Sequence, residues 1–342
     1  KRIIAKDIIS SVNVPPFKNS AVDGYAIKNS DINLTNFKVV KRILAGDNKK
    51  IKLLKGQAVR IFTGAKMPGN AGTVIMQENA LENNSFVKFL KKPKRNENCR
   101  YSGEDIKKNQ IVFKKNTLIR SSNLGLLASI GLKKISVYKK LRVGFFTSGN
   151  ELKNPTKNLS GSKINNSNRY TLNTLISQSG FAATDLGVLK DSSTQVKNSI
   201  FKAINNFDII ITAGGASVGD EDHLIKFLKE KGKLIFWKIA IKPGRPLGFG
   251  FIKNKPIICL PGNPVSVFLL YIMLIKPFLY KLAGGTLEEP VSFPAKISFS
   301  MKKKTARMEW LRVKINKKIF NELVVDKCLK QGSGIMTSIA FS

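Results

Sequence analysis

A multidomain chain, with one α/β domain accompanied by smaller β parts, is the fold class this sequence predicts. Three observations predict it. From Leu141 onward, buried-type strands alternate with helical patterns, at loop lengths that suit βαβ units and a mainly parallel sheet. From Phe37 to Phe89 the pattern is instead short β runs punctuated by Gly46, Gly56, Gly64, Gly69 and Gly72. Beyond Glu289 the strand pattern returns, at Val291–Phe299, Glu309–Ile315 and Leu323–Val325.

Taken in order, residues 1–14 carry Ile3, Ile4, Ile8 and Ile9 and are expected to form the tail of a helix. Pro15-Pro16 then fixes an extended path, and Asp23-Gly24 signals a turn. Strands are predicted at Phe37–Leu44, Ala58–Phe62, Thr73–Gln77 and Phe86–Leu90, forming a small all-β domain that a barrel would suit. A helix is predicted over Asn123–Ile130 and a short strand over Ile135–Tyr138. The α/β part follows, with strands at Leu141–Thr147, Thr184–Leu189 and Asp208–Thr212. Its helices are expected at Asn168–Ser179, ended by Gly180, and at Thr194–Asn205, capped by Ser192 or Ser193. The boundaries expected are 1–14 with 101–140 for a linker domain, 15–100 for an inserted small β domain, 141–289 for the α/β domain and 290–342 for a C-terminal β domain.

Composition narrows the chemistry. The 342 residues carry 59 Lys and Arg against 22 Asp and Glu, a formal net charge of +37. The lysines are spread over every segment, and no helix-turn-helix, zinc finger or aromatic RNA-binding signature accompanies them. Nucleic acid is therefore not the expected partner, while the positive field draws anionic small molecules. Three scattered cysteines (Cys99, Cys259, Cys328) and a single histidine, His223, provide neither a zinc site nor a disulfide framework. Cys259 lies in an apolar strand and is expected in the core. No signal peptide is read in the opening residues. The longest apolar run, Val265–Ile275, falls short of the ~20 residues that span a bilayer. The expected location is the cytoplasm, away from membranes.

The stretch from Asp208 to Ser266 concentrates the site candidates. The strand Asp208–Thr212 ends in a turn containing Gly214, Gly215, Ser217, Asp220, Glu221 and Asp222. A second apolar run ends in Lys242-Pro243-Gly244-Arg245-Pro246. A third, Pro256–Leu260, ends in Pro261-Gly262-Asn263-Pro264-Val265-Ser266 and starts a helix, with Asn at the N-cap and Pro at the first position. Free amides there would face an anion. Glu151, Asp191 and Asp222 each follow a strand of the α/β domain, so one sheet edge collects three carboxylates. Converging carboxylates need a cation, and an all-oxygen set suits Mg²⁺, which in turn draws phosphate. Lys238 and Lys242 are four residues apart and share a face if the segment is extended; with Arg245 they would hold an oxyanion. Each carboxylate taken alone reads as a loop solubiliser or helix cap, and the lysines as solvated strand residues; three carboxylates at three consecutive strand exits favour a site. No GxxxxGK[ST] loop and no Ser-His pair is present.

These residues resemble the molybdopterin molybdenumtransferases, a family that includes the E domain of gephyrin. The likeness runs over PPFKNSAVDGYA, RIFTGAKMPGNAGTVIMQEN, RYSGEDI, TSGNEL, TAGGASVGDED, KIAIKPGRPL, PGNPVS, ARMEWLR and QGSGIMTSIA. The first two segments single out the transferase, because the α/β motifs also occur in molybdopterin adenylyltransferases and competence-damage proteins. The resemblance implies a three-layer α/β/α domain of molybdopterin-binding type within a four-part subunit that dimerises. It implies adenylylated molybdopterin and molybdate as substrates, Mg²⁺-dependent release of AMP, and insertion of molybdenum as the last step of cofactor synthesis. The positions matching functional residues are Asp23, Thr63, Arg100, Asp105, Glu151, Asp191, Asp222, Lys238 and Lys242. Of these, the three α/β carboxylates would bind the metal, and Asp23 and Thr63 would face the other subunit. Docking of a molybdopterin adenylyltransferase fits the same scheme. Arg245 stands where a lysine is common, and His223 also departs from the family pattern. The family usually continues with a final strand after the segment GSGIMTSIAFS, and Arg307 and Arg312 are candidates for an anion pocket there. The alternative functions are a molybdopterin adenylyltransferase and a non-catalytic dimeric scaffold of the gephyrin E-domain type.

Overall fold

In the computed structural model, residues 1–156, 158–215, 223–286, 291–302, 306–316 and 322–341 are described. They form two compact units. One comprises Lys6–Lys115 with Ile119–Ser136, the other Lys1–Ala5, Asn116–Leu118 and the chain from Val137 onward.

The first unit is built on a six-stranded sheet in the order Thr73–Met76, Gly24–Ile27, Gln57–Ile61, Asn36–Ile43, Phe86–Phe89, Ala80–Asn83. Side chains alternate across it, as a period of two requires. Ala26, Val59, Ile61 and Val74 enter one core with Leu53 and Met67; Tyr25, Ile27, Ala58 and Ile75 enter another with Phe37 and Phe89. Four of the six strands are those the sequence pattern predicts. Among the described residues no pairing joins the two edge strands, so the sheet is open.

The helix expected over residues 1–14 is absent. Ile8–Ile9 is instead a strand antiparallel to Ile111–Phe113, and Ile3 and Ile4 form single bridges to Leu118 and Val137. The isoleucines are β-branched and suit a strand as well as a helix, the only three-to-four spacing among them is Ile4 to Ile8, and available strand partners decide their conformation. The strand expected over Ile135–Tyr138 reduces to the bridge at Val137. The helix Ser121–Ser129 forms close to its expected place.

The second unit contains a six-stranded mixed sheet in the order Ala182–Leu189, Arg142–Ser148, Ile209–Ala213, Lys255–Leu260, Gly248–Ile252, Lys233–Trp237. The first four strands pair in parallel; Gly248–Ile252 runs antiparallel to both of its neighbours, so Lys233–Trp237 runs in the same direction as the first four. Val143, Phe145, Ile209, Ile211 and Leu260 point to one face, where Leu172 and Ile176 of helix Ser167–Gln178 and Val267, Leu270 and Tyr271 close the core. Phe146, Ile210, Ile257 and Cys259 point to the other face, against Val196 and Ile200 of helix Ser193–Ile204 and Leu224 and Leu228 of helix His223–Lys231. Helices thus cover both faces. Ser192 occupies the N-cap of Ser193–Ile204, but its side chain makes no capping bond.

The apolar run at Val265 belongs to a longer helix, Pro264–Leu282, in which Tyr271–Ile275 is a π-type stretch. Lys276-Pro277 does not end it, because Pro277 falls where the π turn has already altered the backbone bonding. By length and composition alone the helix would cross a bilayer; here its apolar stripe lies in the sheet core. The Tyr271 hydroxyl bonds both Leu175 O (3.0 Å) and Ser179 Oγ (2.9 Å), tying this helix to Ser167–Gln178.

Towards the C-terminus, Val324–Lys327 lies between Lys296–Ile297 and Val313–Asn316 in a three-stranded sheet. Met308–Glu309 pairs instead with Ile241–Lys242. Replacing Tyr271 by Phe removes the hydroxyl that joins the two helices, while Ser179 Oγ keeps its bond to Leu175 O (2.7 Å), and is expected to lower stability by about 1 kcal/mol, the scale of one net hydrogen bond, read from urea unfolding.

Candidate functional site

The strand order makes a switch point. The chain leaves Arg142–Ser148 for the neighbour on one side, Ala182–Leu189, and later places Ile209–Ala213 on the other side. Loops leaving these strands therefore diverge at the carboxyl edge, the place where open α/β sheets take ligands.

Asp191, two residues beyond its strand, turns back towards the neighbouring exit. Its carboxylate accepts the Asn150 N–H at 3.3 Å and faces Ser148 Oγ at 3.5 Å. Glu151 sits on the same loop, its carboxylate folded over Gly149, where a Cβ would lie 2.4 Å from Oε2. Neither carboxylate has an ion-pair partner among the described residues. Gly214 (φ +99°) donates its N–H to Leu260 O and passes so close to Ser148 that a Cβ would lie 2.2 Å from the Ser148 carbonyl oxygen. Gly215 follows with φ +70°, and Gly262 packs beside Gly214. The fold thus brings Glu151, Asp191, Gly214, Gly215 and Gly262 to one edge. Ser217, Asp220, Glu221 and Asp222 lie outside the described residues. Among the described residues no three His, Cys, Asp or Glu side chains form a metal-holding group.

The cations are arranged differently from the expectation. Lys238 has φ +75°, so the segment is not extended and the even spacing does not put Lys238 and Lys242 on one face. The edge strand stops at Trp237, and the Lys238 ammonium lies over the Trp237 ring, 4.0 Å from its centroid. Lys242 pairs with Glu309 across the short Ile241–Lys242/Met308–Glu309 ladder. Its hydrogen bond holds the Glu309 carboxyl below the usual range, with Arg307 also contributing. Arg245 is exposed, and its carbonyl accepts the N–H groups of Ile239 and Leu247, both at 2.9 Å.

Asn263 takes the N-cap position, yet its side chain makes no capping bond. The expected row of free amides is also shortened, because Val265 N–H donates to Ser333 O at 3.0 Å. Ser266 is buried. Arg312 is buried as well: Nε donates to Ser338 Oγ (3.1 Å) and a terminal nitrogen to Gly332 O (3.2 Å), so it braces this segment instead of facing an open pocket. Burial pushes its guanidinium pKa down.

In the other unit, Thr63 donates both its backbone N–H and its hydroxyl to Asp23 Oδ1, each at 2.7 Å. These two bonds, the backbone one first, hold the Asp23 carboxyl below the usual range despite slight desolvation. Arg60, on the adjacent strand, donates to Gly24 O at 3.1 Å and lies over the rings of Tyr25 and Phe62. Asn19–Ser20 pairs with Cys99–Arg100 on one side and bridges to Lys66 on the other. Arg100 therefore stands one ladder away from the turn that bears Thr63. Asp105 is more remote, its N–H bonded to Val14 O at 3.0 Å beside the Pro15-Pro16 segment.

The sequence pattern did not single out Asn166, Asn168, Glu309 or Ser333. Asn166 donates to the Thr147 hydroxyl (2.8 Å), Asn168 to Gly262 O (2.7 Å), and the other two act as described above. The NxN spacing at a helix start was the available signal for the first pair; the rest depend on segments distant in sequence.

Residues 1–131 match the family described as "MoeA N-terminal region (domain I and II)", and residues 144–281 the "Probable molybdopterin binding domain". Over 314 residues the chain is 38% identical to a molybdopterin molybdenumtransferase of Haemophilus influenzae, covering 91% of this chain and 78% of that protein. The chain belongs to the molybdopterin molybdenumtransferase family. Another member, from a Nostoc species, is 35% identical over 293 residues, covering 83% of this chain and 67% of the relative. Among solved structures, the molybdopterin biosynthesis moeA protein of Pyrococcus horikoshii OT3 superposes with a TM-score of 0.81 at 28% identity, covering 100% of this chain and 85% of that one.

Asp23 supplies a direct check on the geometry. Its depressed pKa means that the Thr63 contacts contribute stability above the ordinary carboxylate value, which is lost as pH falls through the depressed one. Thr63→Val removes the hydroxyl bond and keeps the backbone bond. A partial upward shift of the Asp23 titration is expected by carboxyl-carbon NMR.

Proposed function

We propose that this chain inserts molybdenum into molybdopterin, taking adenylylated molybdopterin and molybdate and releasing AMP. The observation that carries this reading is the edge where Glu151, Asp191, Gly214, Gly215 and Gly262 meet at the switch point of a molybdenumtransferase fold. Two carboxylates without ion-pair partners among the described residues, in a chain of net charge +37, fit a site kept for a hard cation. Glu151, Asp191 and, from the resemblance, Asp222 would hold Mg²⁺, which supplies charge neutralisation at the phosphoanhydride. The oxygen of a water molecule forms the new bond to the adenylate phosphorus and gives up a proton to bulk solvent, so the product is AMP. The bridging P–O bond breaks, and the displaced pterin phosphate leaves with the electron pair.

The chain's own groups bind and orient. The Gly214 and Gly215 turn lets backbone approach the phosphates closely. Ser217, Asn263 and Ser266 are assigned to substrate binding on their place in the strand-exit turns of the sequence. Lys238, Lys242 and Arg245 offset the charge of phosphate and molybdate. Lys242 already has a carboxylate partner in Glu309, so anion binding exchanges one negative partner for another.

Asp23, Thr63, Arg100 and Asp105 are assigned to substrate binding within a homodimer, as the resemblance implies. The four-part domain layout, a cytoplasmic location and docking of an adenylyltransferase belong to the same proposal.

AMP release from adenylylated molybdopterin, followed by chromatography, is expected to require both Mg²⁺ and molybdate. Asp191→Asn is expected to lower kcat by about a hundredfold, the scale of losing one electrostatic group at a reacting centre. AMP release that is unchanged in both Asp191→Asn and Asp222→Asn would sink the site assignment. Consumption of ATP with free molybdopterin would replace it with adenylyl transfer.

A further inference from the structure

Asn168 stands in the first turn of helix Ser167–Gln178 and is only 7% exposed. Its Nδ2 donates to Gly262 O at 2.7 Å. Its Oδ1 is buried and has no hydrogen-bond partner among the described residues. The Gly262 bond determines which end of the amide is which, since exchanging them would set two oxygens against each other.

An unpaired buried acceptor is costly, and a leucine of similar size would remove that cost. Leucine would also leave the Gly262 carbonyl without its donor. The side chain's single bond therefore goes to the loop that packs against Gly214, which in turn packs against Ser148. Two residues earlier, Asn166 grips Thr147, the residue before Ser148, through a 2.8 Å bond. The start of one helix thus holds the exits of two strands separated in the sheet by Ile209–Ala213.

We infer that Asn168 is a positioning residue for substrate binding: by holding the Gly262 carbonyl it keeps Gly262 against Gly214, so that the two glycine loops present one surface to the anionic part of the substrate. This rests on the strand-exit edge being the substrate site. Asn168 acts through Gly262 and need not touch the reacting atoms.

Asn168→Leu in the full chain separates positioning from stability. It removes the orphan acceptor and the donor together, so the thermal midpoint is expected to stay within about 3 °C of the parent. KM for adenylylated molybdopterin is expected to rise about tenfold, with kcat changed less than about twofold, the pattern of lost binding. Amide hydrogen exchange at Gly262 and Asn263 is expected to speed up. Asn168→Asp adds a second readout. Its ionised carboxylate opposes the Gly262 carbonyl, whereas its protonated form donates to it, so the KM defect relative to the parent should shrink as pH falls.

Unchanged KM and unchanged exchange in the leucine variant would overturn the inference. So would a KM defect in the aspartate variant that does not vary with pH, since a merely structural role predicts that. If the leucine variant does not fold, the aspartate pH profile decides alone. A parent protein that releases no AMP would defeat the functional reading, while the exchange measurement would still judge Asn168.

Discussion

Parallel pairing of Arg142–Ser148 with Ala182–Leu189 on one side and Ile209–Ala213 on the other is the constraint on which the site depends. Parallel strands end at the same edge, so groups more than sixty residues apart in sequence arrive together. Helices must return the chain to the opposite edge each time, and they cover both faces with apolar stripes in doing so. The same architecture that buries Phe145 and Ile210 therefore exposes the loops of Glu151, Asp191 and Gly214. A glycine is required at 214 for a second reason: the φ of +99° and the nearby Ser148 carbonyl leave no room for a side chain.

Electrostatics sharpen what this edge can do. In a chain so rich in lysine, carboxylates find cations easily, as Glu309 does with Lys242 and Asp208 with Arg142. Asp191 instead accepts a backbone N–H, and Glu151 folds over Gly149. The cationic side of the edge is tethered too, since Lys238 rests on Trp237 and Lys242 on Glu309.

Much of the architecture was legible in the residues. The βαβ alternation after Leu141 appears in the structure with its helices and strands displaced by one or two residues, because long periodic segments have few alternative ways to bury their apolar faces. Asp23 and Thr63, forty residues apart, hydrogen-bond to each other, a contact that the sequence reading did not state. Shorter or irregular segments were less legible. The isoleucines near the start pair as strands, since partners elsewhere outweigh weak local preference. Lys238 leaves the extended conformation, so an argument from even spacing does not hold there. Arg312 reads as a free cation in sequence and proves to be a buried brace.

The sequence by itself determined the family, the alternation of strand and helix, and the types of group available: carboxylates at strand exits, glycine turns, and cations after the second apolar run. These are local matters, set by periodicity and by residues that tolerate few conformations. Only the tertiary structure decided the partners. That Asp191 leans on Asn150, that Val265 gives its N–H to Ser333, that Lys242 meets Glu309 and that Asn168 holds Gly262 all follow from contacts across long separations. Such contacts depend on strand order and crossover geometry, and a side chain's chemical type does not encode which distant group will face it.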